Sequence, residues 1–161
     1  MIVGGGCRGR QLAEGLLAEG HAVRITTRSE EGRAGIEQTG AECWIGTPDR
    51  LATLRGALDS VTILCWMLAS ARGNEQELRS LYTTRLEYFL TQAIDTTVRG
   101  FLYEARSGSV PAELLLEGEQ TVRTLTERSA IPVGFLRSDP VDTAAWTAEA
   151  SAAIESLLSR A

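Results

Sequence analysis

Lysine is absent from this chain, and all 16 basic residues among its 161 amino acids are arginines. Arginine stays protonated in proteins, so it serves neither as a Schiff-base nucleophile nor as a base whose pKa can be tuned. A mechanism that needs a catalytic lysine from these residues is therefore excluded.

Histidine and cysteine are scarce as well. As the only histidine, His21 supports neither a catalytic triad nor a metal site, and the three cysteines (Cys7, Cys43 and Cys65) are widely spaced without a C-x-x-C pair. This number and spacing are typical of reduced thiols and not of a disulfide framework or a zinc site. We expect no bound metal.

Long apolar runs and basic clusters are also missing. The longest apolar run, residues 61–69, is interrupted by Thr62, and a membrane-spanning helix needs roughly 20 apolar residues. The net charge is −5 and no arginine-rich run occurs, which argues against nucleic acid as a partner. No signal peptide precedes the first glycines, so we expect a cytoplasmic protein without a membrane partner.

The residues that are present alternate between strand and helix patterns, and the length predicts one domain over residues 1–161. The strand patterns are short and apolar or alternating. They cover residues 2–3, 22–27, 42–45, 61–68, 100–105 and 132–137. The helix patterns cover residues 8–19, 30–38, a segment starting at Thr47-Pro48-Asp49, and residues 74–96, 111–128 and 142–158.

Strict alternation of six strands with helices predicts an α/β fold, a doubly wound parallel six-stranded Rossmann sheet with helices on both faces. The expected strand order is 3-2-1-4-5-6, with a binding crevice at the carboxyl ends of strands one and four. Only about twenty residues follow the last strand, so we expect no substrate lobe.

A glycine motif links the first strand to the first helix. Gly4, Gly6 and Gly9 have the G-x-G-x-x-G spacing, and the surrounding strand, helix and alternation give that spacing its meaning. Gly4 permits a tight turn, Gly6 lets the backbone approach a pyrophosphate, and Gly9 lets the helix pack on the sheet. The helix N-terminus would then hold the phosphates, so we predict a dinucleotide cofactor.

The end of the second strand indicates which dinucleotide. An NAD site usually carries Asp or Glu there, but this sequence has Thr26-Thr27-Arg28-Ser29. Arg28 would face the 2′-phosphate of NADP with a forked, charged donor. Arg8 in the glycine loop could reach the same phosphate, and Arg33 is a further candidate. We therefore predict NADP, with NAD as the less favoured alternative.

These segments resemble the short-chain dehydrogenase/reductase superfamily, specifically its extended and atypical branches, which are NAD-dependent epimerase/dehydratase-like. The resemblance covers nearly the whole chain and rests on GGGCRG, GHAVRITTR, GAECWIGTPDRLATLRGALDSVTIL, FLYEARSGSV and PVGFLRSDP. It implies that Thr47 lies beside the adenine and that Cys65, Trp66 and Leu68 line the middle of the cofactor. Val3 stands where the superfamily's common motif has its first glycine.

The catalytic residues of that superfamily have no counterpart here. Active members pair a tyrosine with a lysine four residues later, whereas the tyrosines of this chain are followed at that spacing by Leu86, Gln92 and Ser107. Ser107 follows strand five, where active members keep a serine. Glu104 and Tyr103 are the other polar residues expected near a nicotinamide.

We therefore expect an NADP(H)-binding protein that lacks the Tyr-x-x-x-Lys pair and acts as a cofactor-binding or redox-sensing protein, with Cys7 in the phosphate loop as a candidate thiol. One alternative is an NADP-dependent oxidoreductase or epimerase with a non-standard active site at Ser107, Tyr103 or Glu104, acting on a small-molecule substrate. A second alternative is a degenerate fold that serves as a dimeric interaction module. A homodimer could form through the segment of residues 82–90.

Overall fold

The computed structural model describes residues 1–4 and 6–160, and these contain a parallel sheet of six strands. The strands run in the order β3-β2-β1-β4-β5-β6. Their bounds are β1 Ile2–Val3, β2 Arg24–Thr27, β3 Glu42–Ile45, β4 Ile63–Trp66, β5 Gly100–Glu104 and β6 Val133–Leu136. The register places Val3 beside Trp66 and Trp66 beside Tyr103. The predicted doubly wound Rossmann fold and its strand order are confirmed.

Six α-helices connect or follow the strands in the described part of the chain. They are α1 Cys7–Ala18, α2 Arg33–Glu37, α3 Glu75–Tyr82, α4 Thr84–Ile94, α5 Ala112–Ser129 and α6 Thr143–Leu158. None of the helices described is long and apolar enough to cross a membrane.

The two faces of the sheet build two separate cores, because successive strand residues point to opposite sides. Val3, Leu64 and Trp66 face the layer of α3, α4 and α5. Ile2 and Cys65 face the layer of α1, α2 and α6. The strands in the middle of the sheet are therefore apolar on both sides, as expected of a covered parallel sheet.

The predicted long helix over residues 74–96 is wrong, because it is interrupted at Thr83. Thr83 has φ −119° and ψ −95°, which is not a helical conformation. The helical hydrogen bonds continue on both sides of it: the backbone N–H of Thr83 donates to the Arg79 carbonyl at 3.0 Å, and its own carbonyl accepts from the Glu87 N–H at 2.8 Å, so α3 and α4 follow each other without a loop. Asn74 does begin α3, with a capping box to Glu77.

The segment after β3 also differs from the predicted helix. Two 3₁₀ turns, Leu51–Thr53 and Gly56–Leu58, replace it. The hydroxyl of Thr53 accepts from the backbone N–H of Thr47 at 3.0 Å and donates to the Arg50 carbonyl at 2.6 Å. These bonds close a tight turn, while Leu54 and Leu58 stay buried as the apolar spacing indicates.

Candidate functional site

A cavity of about 650 Å³ opens at the carboxyl ends of β1 to β4. Its volume lies in the usual range for small-molecule and cofactor sites. The position is the switch point of the strand order, where ligands bind in open α/β sheets. The walls include the glycine loop, the ends of β2 and β3, the segment after β4, and side chains of α3 and α4.

Gly4 forms the bottom of this cavity and has a φ of +99°, a conformation that glycine adopts without strain. A β-carbon at this position would lie 2.1 Å from the carbonyl oxygen of Met67. The backbone N–H of Gly4 points to the hydroxyl of Thr26 at 3.4 Å. The exits of β1, β2 and β4 thus meet at one residue that has to be glycine.

Gly6 and Gly9 have different surroundings. Gly6 precedes α1, and a β-carbon there would meet nothing within 4 Å, so its backbone faces open space in the cavity. Gly9 is buried in α1, and a β-carbon there would lie 2.9 Å from the carbonyl oxygen of Gly4. A phosphate could therefore approach the first turn of α1 at Gly6, where free N–H groups favour negative charge.

The cavity is lined by more positive than negative side chains. Its arginines are Arg10, Arg28, Arg72 and Arg85, and its carboxylates are Asp49 and Glu77. Asp49 is paired with Arg85. Within the described residues Arg28 forms no ion pair, and the Arg10 guanidinium has the sulfur of Cys7 at 3.5 Å as its hydrogen-bond partner. An anionic ligand would therefore find uncompensated arginines here.

Arg10 and Arg28 belong to the end of the cavity at β2. Arg28 follows β2 directly and is exposed. The Arg10 guanidinium packs beside Gly35 of α2, where an added β-carbon would be 3.5 Å from Arg10 NH1. Both cations thus stand where the adenosine ribose of a dinucleotide would lie if its phosphates were held at α1.

Arg8, the other arginine expected at the 2′-phosphate of NADP, points away from this cavity. Its NH2 lies 3.3 Å from Oε1 of Glu104, and its guanidinium lies 5.3 Å from the centroid of the Trp146 ring. Arg8 and Arg10 leave α1 on opposite sides of buried Gly9, since two residues turn a helix by roughly 200°. This difference could have been predicted from the sequence, because the helical periodicity of α1 places Arg10 on the other side of the helix from Arg8. Arg33, the further candidate, is bound to Glu30 and Glu37.

Thr47 and Leu68 line the cavity, whereas Cys65 and Trp66 do not. Thr47 is nearly buried, and its hydroxyl accepts from the Asp49 backbone N–H at 3.2 Å. Cys65 lies in the core against α1 and α6, where burial raises the pKa of its thiol to about 11. Trp66 is fully buried on the opposite face, with its ring centroid 5.7 Å from that of Phe89. Strand alternation directs both side chains into the cores.

The polar residues after β5 are engaged in internal hydrogen bonds. The hydroxyl of Ser107 accepts from the backbone N–H groups of Ser109 and Val110 at 2.9 and 2.8 Å and donates to the carbonyl of Ala69. The Tyr103 hydroxyl donates to the Leu115 carbonyl at 3.0 Å, and burial raises the pKa of this phenol. Neither hydroxyl is poised as an acid or base near neutral pH.

Glu104 is buried, with 2% of its surface exposed, and its carboxylate accepts three hydrogen bonds. The donors are the indole of Trp146 at 2.9 Å, Arg8 at 3.3 Å and the backbone N–H of Ala69 at 2.9 Å. Burial raises the pKa of Glu104, although these donors and the charge of Arg8 oppose that shift. The side chain is surrounded by protein donors and is not aimed at open space.

Other predicted features lie outside the cavity wall. Cys7 is exposed at the first turn of α1. Tyr82, Leu86, Phe89 and Leu90, from the segment expected at a dimer face, are buried in the core of this chain. Oligomerisation through that segment stays a prediction. His21 lies before β2, at the opposite end of the strands, and is hydrogen-bonded to Glu155 at 2.7 Å, with Glu19 close by.

No protein-family model matches this chain. A curated protein from Stigmatella aurantiaca, the 4-hydroxy-2-methyl-3-oxo-4-farnesyl-3,4-dihydroquinoline-1-oxide ketoreductase, is 29% identical over 102 residues. The match covers 62% of this chain and 30% of the ketoreductase, so the chain spans less than a third of that relative.

Solved structures with the same fold include reductases and proteins with a bound dinucleotide. The triphenylmethane reductase of Citrobacter sp., complexed with NADP(H), matches with a TM-score of 0.63 and 23% identity over 85% of this chain and 48% of that one. Vestitone reductase from alfalfa matches with a TM-score of 0.61 and 16% identity over 83% of this chain and 54% of that one. A short-chain dehydrogenase/reductase superfamily protein from Agrobacterium tumefaciens, with bound NAD, matches with a TM-score of 0.67 and 20% identity over 84% of this chain and 47% of that one.

This chain therefore spans about half the length of these solved structures. At such identities the likeness establishes a common fold. The resemblance predicted from the sequence is confirmed at that level: the chain shares its Rossmann fold with these proteins and with the UDP-glucuronic acid 4-epimerase of Bacillus cereus.

Proposed function

We propose that this chain binds NADP(H) in the cavity at the carboxyl ends of β1 to β4 and acts as a cofactor-binding or redox-sensing protein. The observation that carries the proposal is the pairing of a glycine cradle with uncompensated charge. Gly4 has a φ that favours glycine, Gly6 leaves open space before α1, and Arg10 and Arg28 line the same cavity without a carboxylate partner among the described residues.

The roles of the residues follow from this arrangement. The pyrophosphate would sit at the first turn of α1 beside Gly6 and Cys7, with Gly9 allowing the helix to approach the sheet. Arg28 and Arg10 would take the 2′-phosphate with charge-assisted hydrogen bonds. Thr47 would lie near the adenine and Leu68 near the middle of the cofactor. The favoured cofactor is thus NADP, with NAD as the alternative.

The proposed lack of a standard catalytic pair has support from both sequence and burial. The 161 residues contain no lysine, and the hydroxyl of Tyr82 donates to the Leu68 carbonyl at 2.7 Å while that of Tyr103 donates to Leu115. Burial raises the pKa of both phenols. A bound nicotinamide would supply hydride chemistry, but these tyrosines would not supply its proton.

A reductase is the second candidate, because the curated match is named as a ketoreductase and the solved structures include reductases. In that case the proton would come from water or from a group other than Tyr82 and Tyr103. The substrate would be a small carbonyl compound.

Binding and turnover separate these candidates. We expect NADPH to bind the protein in a calorimetric or fluorescence titration and to bind more tightly than NADH. Oxidation of bound NADPH by simple ketones or quinones would favour the reductase. Failure of NADPH and NADH to bind would contradict both candidates and favour a fold that serves only as an interaction module.

A further inference from the structure

Glu104 connects three segments that are distant in sequence. Its carboxylate accepts from Arg8 at the start of α1, from the Ala69 backbone N–H after β4, and from the Trp146 indole of α6. The distances are 3.3, 2.9 and 2.9 Å, and Glu104 is 2% exposed. A carboxylate with this many partners is fixed in position, because each buried donor would lose its hydrogen bond if the side chain turned away.

Two of the three segments, the start of α1 and the exit of β4, contribute residues to the wall of the cavity. Arg8 follows Gly6 on the first turn of α1, and Ala69 lies between the lining residues Leu68 and Ser70. The carbonyl of Ala69 is held in turn by the hydroxyls of Ser107 and Ser109. The backbone that would face a bound dinucleotide is thus held by hydrogen bonds from side chains that lie outside the cavity.

We propose that Glu104 is a positioning residue for the dinucleotide site, whose buried carboxylate holds the first turn of α1 and the β4 exit at the separation that the ligand requires. The inference rests on the proposed function. Glu104 acts through Arg8 and Ala69 and does not touch the ligand. Neutralising the carboxylate loosens both segments and weakens binding.

The ionisation of Glu104 decides how strongly it holds these segments. The charged and titratable groups facing it are Arg8 from α1, Tyr82 from α3 and Tyr103 from β5, while α6 contributes the non-titrating Trp146. Both phenols stay neutral because burial raises their pKa, so Arg8 is the single cation among them. Protonation of Glu104 removes the counter-charge of Arg8, so dinucleotide affinity decreases as the pH is lowered.

Indole NMR tests this arrangement without any ligand. The three indole N–H groups differ in their surroundings: Trp146 donates to Glu104, Trp44 donates to the Thr53 carbonyl at 2.8 Å, and Trp66 is buried without a hydrogen-bond partner among the described residues. We expect the Trp146 indole resonance to titrate with an apparent pKa above the ordinary value for glutamate of about 4.3. Glu104→Gln removes this titration, and the Trp44 and Trp66 resonances do not show it. A Trp146 resonance that fails to titrate in the wild type overturns the proposal.

The effect on the cavity is measured with a matched control. Glu119 is also a nearly buried carboxylate held by two arginines, Arg123 and Arg137, but it lies on α5 away from the cavity. We expect Glu104→Gln to weaken NADPH binding about tenfold, the cost of one charge-assisted hydrogen bond, and to flatten its pH dependence. Glu119→Gln leaves binding unchanged. Wild-type affinity in Glu104→Gln contradicts the proposal.

Two further measurements keep the outcome interpretable. Arg8→Met removes the same ion pair from the other side, so it should reproduce the loss of affinity, whereas Arg8→Lys should restore part of it. If the wild type binds no dinucleotide, the proposed function fails. Amide hydrogen exchange in the free protein then tests the positioning role of Glu104 by itself. Glu104→Gln should speed exchange in the first turn of α1 and at residues 68–71, and unchanged exchange there overturns the inference.

Discussion

A β-carbon on Gly4 would lie 2.1 Å from the carbonyl oxygen of Met67. This short approach joins the exits of β1 and β4, the two strands between which the order of the sheet reverses. The φ of +99° at Gly4 adds a second constraint, because side-chain-bearing residues rarely adopt it. The floor of the cavity therefore depends on the one residue type that satisfies both conditions.

Gly4→Ala should destabilise the fold and abolish dinucleotide binding. Backbone strain and the clash with Met67 together cost about 2 kcal/mol or more. Gly6→Ala, by contrast, should leave the stability unchanged and weaken binding, because its β-carbon meets no protein atom within 4 Å and enters the cavity. Urea unfolding and NADPH titration measure the two effects separately.

Gly15→Ala is the control for these substitutions. Gly15 lies within α1, away from the cavity, and a β-carbon there also meets nothing within 4 Å. Alanine should stabilise the helix by about 0.5–1 kcal/mol without changing affinity. A Gly6→Ala variant that binds NADPH like the wild type would show that the ligand does not approach the start of α1.

Thiol labelling should locate a bound dinucleotide at the glycine loop. Cys7 is exposed, whereas Cys65 is buried with its thiol pKa raised to about 11. Because the thiolate is the reactive form, a maleimide should modify Cys7 first and Cys65 only after unfolding. NADPH should slow the modification of Cys7, and Cys7→Ser should remove the fast phase. Labelling of Cys7 at the same rate with saturating NADPH would contradict this location.

Glu104 and Glu119 should affect stability in opposite directions as pH changes. Burial raises the pKa of Glu104, so the unfolded state loses this proton first. The stabilising contribution of Glu104 is fully present below its unfolded pKa, roughly 4.3, and is lost as pH rises through its folded pKa. Burial also disfavours the charged form of Glu119, but hydrogen bonds and charge from Arg123 and Arg137 outweigh it and lower the net pKa. Its contribution is present above the unfolded pKa and is lost as pH falls.

The measurement is urea unfolding of the wild type, Glu104→Gln and Glu119→Gln over a pH series. Relative to Glu104→Gln, the wild type should lose free energy of unfolding as pH rises from about 4 toward neutrality. Relative to Glu119→Gln, it should lose free energy of unfolding as pH falls toward about 4 and below. Parallel pH profiles for the two variants would show that the Glu104 pKa is not raised.

The sheet was predictable from the sequence because strand and helix periods alternate clearly. β1 and β3 have the predicted bounds, and the strand order follows from the alternation and its handedness. The break at Thr83 was not predictable in this way, since an apolar stripe continues on both sides and the bond from its hydroxyl to Arg79 also occurs at threonines inside unbroken helices, such as Thr91 of α4. The turns after β3 depend on hydrogen bonds of Thr53, which the apolar spacing does not reveal.

The side chains of the site were harder to predict than its backbone. Glycine spacing located the loop, because the requirement at Gly4 is a property of the backbone. The direction of Arg8 depends on a buried acceptor 96 positions away, Glu104, and no local pattern reveals that pair. Cys65 and Trp66 lie at the carboxyl end of β4, as predicted, but strand alternation directs both side chains into the cores. Arg10 was overlooked although the phase of α1 directs it toward α2.

The ratio of NADPH to NADH affinity tests the central claim most directly, measured for the wild type, Arg28→Ala, Arg10→Ala and Arg33→Ala. We predict that the wild type prefers NADPH and that Arg28→Ala and Arg10→Ala each weaken NADPH binding about 10- to 100-fold, as expected for a charge-assisted contact. NADH affinity should stay constant, and Arg33→Ala, whose side chain is held by Glu30 and Glu37, should behave like the wild type. Equal affinities for the two dinucleotides that no arginine substitution changes would contradict the account.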